Sequence, residues 1–227
     1  MSLVNRRFNN ATRRFLFSRA VCSYYGPHRT STQWSSFIQS NPSLAYHIRR
    51  LDLHDYANKD IWHKLVTACS TGASLHHILF QGLALPFPWD SWDVLTARKR
   101  TLSFSLCGLP VPVLVDVVLQ ERTIDTVCIA ENCVLTGDQA FSCTTVAACK
   151  LRVLHALSYG NRITIFSFPS LLAAIVTACE FVAELHIRVA PGQSIAVTQL
   201  LTAATHMKRL VIAFGPGKYT SSPSFNH

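Results

Sequence analysis

One pattern of apolar and polar positions recurs along the chain: apolar-x-x-apolar-x-apolar. It reads IRRLDL at 48–53, LHHILF at 75–80, IDTVCI at 124–129, LRVLHA at 151–156, VAELHI at 182–187 and MKRLVI at 207–212; KRTLSF at 99–104 lacks only the first apolar member. The middle anchors are Leu51, Ile78, Leu102, Val127, Leu154, Leu185 and Leu210, separated by 27, 24, 25, 27, 31 and 25 residues. Alternation of this kind predicts a short strand with one face buried. Between the strands the period changes. Trp62, Leu65, Val66 and Cys69 fall at i, i+3, i+4 and i+7, as do Leu172, Ile175, Val176 and Cys179, and Val197, Leu200, Leu201 and Ala204. Leu114, Val117, Val118 and Glu121 keep that register. Each set predicts a helix with one apolar stripe. Asp60, Asp90, Asp138, Ser170 and Ser194 are suitable N-caps, and Pro110 and Pro112 mark the start of the helix near 111–120.

A strand and a helix about every 25 residues is the plan of a leucine-rich-repeat-like solenoid: an α/β fold with a curved parallel sheet on the concave side and helices on the convex side. A doubly wound α/β sheet is the competitor, but its units usually take ~30 residues or more. The expected organisation is a helical N-terminal segment over 1–46, about seven repeat units over 47–213, and a flexible tail over 214–227. The longest unit carries an insertion near 157–169.

Composition alters this picture little. The mean hydropathy is +0.22, yet the uncharged run from Ile163 to Cys179 is broken by Pro169, and the run from Val189 to Met207 contains Pro191, Gly192 and Gln193. Neither resembles the ~20 apolar residues of a spanning helix, so no membrane partner is expected. Charge is uneven: residues 1–51 contain eight Arg and no acid, and account for +8 of the net +9. A basic arm of this kind is not a basic face, so no nucleic-acid partner is expected. The eight cysteines form no C-x-x-C pair, and no secretory signal is evident, which points to reduced thiols and a cytoplasmic or nuclear location, with mitochondrial import a minor alternative.

The stretch VTACEFVAELHIRV at 176–189 gathers Cys179, Glu180, Glu184 and His186. Cys69, Cys149 and Cys179 hold one repeat position, in VTAC, VAAC and VTAC, so they read as small packing residues rather than nucleophiles. Cys128, His155 and His186 occupy the same place in three successive strands, on the solvent-facing side. Such a row could converge on zinc, but it spans ~10 Å and lacks a fourth ligand, so a solvated ladder is the expectation. PFPWDSW reads as convex-side packing. GPGKY near 215–219 lacks the remaining residues of a phosphate loop. No catalytic, cofactor-binding or metal-ligating residue is assigned. The residues expected to bind a partner protein on the concave face are His54, His77, Gln81, His155, His186, Arg188 and Arg209. Their mix of His and Arg favours an acidic partner.

Residues 2–53 carry a more specific signal. Ser2, Leu3, Val4, Arg6 and Phe8 are followed by Arg14, Phe15, Leu16 and Phe17, then by Phe37, Asn41, Pro42, Leu44, Ala45, Ile48, Arg49, Leu51 and Leu53. This series resembles the junction between F-box and repeats in fungal F-box/leucine-rich-repeat proteins. The resemblance implies that 1–46 is the remnant of an F-box with its linker. It also implies a non-catalytic substrate-recognition subunit of a ubiquitin ligase, with a protein substrate as partner. The family grips a Skp-type adaptor through a Leu-Pro start and two helices that are absent before Met1, which puts adaptor binding in doubt. The alternatives are a truncated F-box-like scaffold without adaptor binding, or a small α/β enzyme or metal-binding protein using the concave Cys/His row.

Overall fold

The computed structural model describes residues 11–13, 15–23, 30–54, 67–69, 74–82, 100–112, 114–115, 124–130, 133–137, 151–156, 167–190 and 192–214. In chain order the elements are β1 (Arg19–Cys22), α1 (Ser31–Ser40), α2 (Pro42–Ala45), β2 (Arg50–His54), β3 (His77–Gln81), β4 (Arg100–Ser105), β5 (Gly108–Pro110), β6 (Ile124–Ile129), β7 (Val134–Thr136), β8 (Val153–Ala156), α3 (Pro169–Ala178), β9 (Glu184–Val189), α4 (Ser194–Ala203) and β10 (Arg209–Phe214). The fold is α/β. Eight strands form one parallel sheet in the order β1-β2-β3-β4-β6-β8-β9-β10, and β5 pairs with β7 in a small second parallel ladder.

The strand register explains the apolar pattern. Ala20, Leu51, Ile78, Leu102, Val127, Leu154, Leu185 and Leu210 stand abreast in eight neighbouring strands. Two residues further on, Cys22, Leu53, Phe80, Phe104, Ile129, Ala156, Ile187 and Ile212 form a second row. Both rows are buried from β1 to β9. Phe80 and Phe104 stack at 5.3 Å within the second row. The first apolar member of the sequence pattern lies just before its strand: Ile48, Leu75, Leu151 and Val182 are buried ahead of β2, β3, β8 and β9.

The helices close this core. Leu171, Ala174, Ile175 and Ala178 of α3 are buried, and Leu172 and Val176 pack partly against α4 across a groove shared with Thr198 and Thr202. The buried face of α3 is thus turned slightly from the expected stripe, though Ile175 and Cys179 belong to both. In α4 only Leu200 is fully buried, and Leu201, expected on the stripe, is half exposed. The expected caps shift by one or two positions. Phe168 precedes α3 with Pro169 at the first helical position, and Gln193 caps α4 in place of Ser194.

The segment 1–46 is not wholly helical. β1 pairs with β2, and the Arg49 and Arg50 amides both donate to the Ser18 carbonyl. RAVC is too short to display the six-residue pattern, so only pairing reveals it as a strand. α1 is fixed over β1 by a capping box, in which the Gln33 amide donates to Thr30 Oγ1 and the Thr30 amide donates to Gln33 Oε1. Trp34 Nε1 donates to the Val21 carbonyl at 2.8 Å, and Phe37 contacts both Phe17 and Trp34. Residues 111–112, 114–115 and 67–69 are helical, as their stripes predict. The caps at Asp60, Asp90 and Asp138, the PFPWDSW cluster, most of the 157–169 insertion and 215–227 lie outside the described residues. Among the described residues no helix is long and apolar enough to cross a membrane.

Leu106 has φ of 54° at the position after β4 that Gly82, with φ of 73°, fills after β3. A left-handed backbone costs an L-residue ~1–2 kcal/mol, and Leu106 is also 55% exposed. Leu106→Gly is therefore expected to raise stability by ~0.5–1 kcal/mol after the entropy of the added glycine is discounted. Leu102→Ala, in the centre of the first buried row, is expected to cost ~3 kcal/mol. Chemical denaturation of the two variants beside the parent chain checks both signs.

Candidate functional site

Because successive side chains alternate across a strand, the residues between the two apolar rows face away from the helices. The same register that aligns the core therefore aligns an outer set. One outer row runs Val21, Asp52, Leu79, Ser103, Cys128, His155, His186 and Val211. The row before it runs Arg19, Arg50, His77, Thr101, Thr126, Val153, Glu184 and Arg209.

These two rows are joined by polar contacts from β3 to β10. His77 Nε2 lies 2.9 Å from Ser103 Oγ. Ser103 hydrogen-bonds the Cys128 thiol, whose Sγ is 3.7 Å from His155 Nδ1. His155 Nε2 is 3.3 Å from Glu184 Oε1, and Arg209 Nη1 donates to the same oxygen at 3.2 Å. His186 Nε2 is 2.9 Å from that oxygen too, but the approach is off the line of a hydrogen bond, and the nitrogen is buried without another partner among the described residues. The His155 and His186 rings stack at 3.9 Å with 9° between their planes.

Glu184 is thus the hub of three side chains on three strands. Burial alone would raise its carboxyl. The hydrogen bond from His155, with Arg209 and the two imidazoles, reverses this and holds it below the ordinary range. Burial, and then the neighbouring His155, hold His186 below its usual value despite Glu184, so that ring is neutral at neutral pH. Burial raises the Cys128 thiol, which stays protonated.

The other acid in these two rows is Asp52, whose side chain is fully buried. Its two oxygens accept from Arg19 Nε and Arg50 Nε, each at 2.7 Å. Both acids are therefore already engaged by cations, Asp52 by Arg19 of β1 and Arg50 of its own strand and Glu184 by Arg209 of β10, and the charge offered outward by these rows is positive.

The candidates read from sequence divide accordingly. His77, His155, His186 and Arg209 belong to the connected ladder. Gln81 is half-buried beside His54 in the adjoining row, and His54 Nε2 is buried without a hydrogen-bond partner among the described residues. Arg188 lies on the same face but is only 7% exposed, so it is part of the floor and not a projecting group. Of the other ladder residues, sequence reading placed Cys128 on the solvent-facing side and assigned no role to Ser103 or Glu184, and it missed the Arg19–Asp52–Arg50 clamp. Its signal was the unbroken parity of these positions with His77 and His155. Cys69 and Cys179 are buried, as a packing role requires, and burial pushes the Cys179 thiol up to about 11. Cys149 lies outside the described residues.

His77 generates a pH test. Burial first, then Arg50 and Arg19, lower its pKa from 6.5, opposed only in part by Asp52. The unfolded chain takes up this proton more readily than the folded one, so stability present above about pH 6.5 is lost as the pH falls through that value. His77→Gln is expected to flatten the fall in denaturation midpoint between about pH 7 and pH 5. An unchanged slope would mean that His77 does not carry this linkage.

No protein-family model matches the chain, and neither a curated protein nor a solved structure is significantly similar to it.

Proposed function

We propose that the chain is a non-catalytic protein-interaction module, a leucine-rich-repeat-like solenoid of the F-box type that recognises a protein substrate with the outer rows of its strands. The repeat reading is supported by a strand order that follows the chain without the reversal typical of doubly wound sheets. A recurring backbone detail supports it further. The carbonyls of Ser18, Arg49, Arg152 and Ala183, each just before a strand, accept two consecutive amides from the start of the next strand. The ubiquitin-ligase role rests on the resemblance of residues 2–53. The N-terminal segment has a coherent place in it, because Leu44, Ala45, Ile48, Leu51 and Leu53 lead from α2 into the buried rows.

The observation that carries the binding role is the polar ladder. It crosses neighbouring strands on the side away from the helices, where residues are free of core duty. With Asp52 and Glu184 both engaged, the exposed guanidinium of Arg209 and the partly exposed Arg19 and Arg50 favour an acidic segment of the partner.

Two measurements separate the parts of this proposal. Co-expression with a Skp-type adaptor, followed by size-exclusion chromatography, is expected to give a one-to-one complex if the chain is a ligase subunit; separate elution rejects that role. Quantitative affinity purification with Arg209→Glu is expected to weaken capture of an acidic partner by about tenfold relative to the parent chain. Equal recovery with both baits would remove the outer rows as the recognition surface.

A further inference from the structure

We propose that His155, Glu184 and His186 form a binding site for a divalent transition-metal ion of the zinc class, with water completing the coordination. The three ligand atoms, two imidazole nitrogens and one carboxylate oxygen, all lie within 4.8 Å of one another. The oxygen is 3.3 Å from one nitrogen and 2.9 Å from the other. Zinc binds such ligands at ~2.0–2.2 Å, which places neighbouring ligand atoms of a tetrahedral site about 3.4 Å apart. The carboxylate edges of that polyhedron are thus nearly in place, and the two stacked rings, 9° from parallel, need to tilt toward a common point.

Other features fit the same assignment. His186 Nε2 is buried and stands 2.9 Å from the carboxylate oxygen, off the line of a hydrogen bond and with no other partner among the described residues. A cation between them would use that lone pair. His155 approaches Glu184 with Nε2 and Cys128 with Nδ1, so the thiol holds the ring from behind as outer partners of ligating histidines do. Two imidazoles and a carboxylate suit zinc, cobalt or nickel better than calcium or magnesium, which take oxygen ligands. The side chains of the three ligands remain 15–30% exposed, so the ion can enter from solvent and water can reach it. Arg209 opposes the ion: its guanidinium shares the Glu184 oxygen, but it is 63% exposed and can turn outward.

The test uses tag-free chain, stripped with chelator and titrated with Co²⁺ for its visible spectrum, then with Zn²⁺ in competition. One saturable site per chain is expected, with the d–d bands of a low-coordinate ion and no intense thiolate charge-transfer band. Glu184→Gln and His186→Gln are each expected to weaken binding at least about tenfold, and Cys128→Ser to weaken it less. His206→Gln, at an exposed histidine outside the cluster, is expected to leave binding unchanged. Arg209→Gln removes the opposing charge and is expected to tighten binding about fivefold. Absence of saturable binding overturns the proposal, and so does binding that ignores both ligand variants. Should a ligand variant fail to fold, Arg209→Gln still decides, since a metal held elsewhere would not respond to it. The outcome is independent of whether a protein partner binds the rest of the face.

Discussion

The structure depends on the in-register pairing of parallel strands. Side chains alternate with a period of two, so a slip of one residue in any strand would turn Leu51 or Leu154 to solvent and bring Asp52 or His155 into the core. The two apolar rows therefore fix the register, and the register fixes everything on the opposite face. The polar ladder is in this sense a consequence of hydrophobic burial: Leu102, Val127, Leu154 and Leu185 are each 0–1% exposed, and this sets Ser103, Cys128, His155 and His186 side by side.

Alignment alone would give a row of solvated side chains. The convergence at β8, β9 and β10 comes from Glu184. It stands one position before Leu185, level with Val153 and Arg209, and its carboxylate reaches diagonally to His155 while meeting His186 on its own strand. At the other end of the sheet Asp52 plays a structural part. Fully buried, it is held by one arginine from β1 and one from its own strand, and removing either partner would leave a poorly compensated buried charge. The two acids thus have different fates. Asp52 is sealed beneath its cations, whereas Glu184 is partly exposed and shared among His155, His186 and Arg209.

Much of the fold was legible in the sequence. The six-residue pattern located seven strands, and four-residue stripes located α3 and α4, because burial on one face leaves a period that can be counted. β1 escaped because four residues carry too little alternation to stand out from the α1 and α2 segments around them. β5 and β7 escaped because three-residue strands have no period at all. The shifted caps at Phe168 and Gln193 reflect helix starts set by Pro169 and by packing rather than by Ser170 or Ser194. At the site, parity marked the outward histidines, but distance along a row was taken as the whole geometry. A row of Cys128, His155 and His186 spans ~10 Å, which is long for convergence on one ion. What that length leaves out is the diagonal: Glu184, from the neighbouring row, supplies the short links. Pairwise side-chain direction is not contained in strand periodicity, and Arg188 shows the same limit, since its outward parity does not reveal that it is buried.

The central claim is the ladder itself, with consecutive strands of the large sheet pairing in one register. Methyl–methyl nuclear Overhauser contacts in protein labelled at Ile, Leu and Val test it most directly, because neighbouring strands lie ~4.8 Å apart. The account requires contacts linking Leu51 to Ile78, Ile78 to Leu102, Leu102 to Val127, Val127 to Leu154, and Leu154 to Leu185, each anchor with the next. Contacts that instead join anchors of non-consecutive strands, such as Leu51 with Val127, or that pair them out of register, would contradict it and the outer face with it.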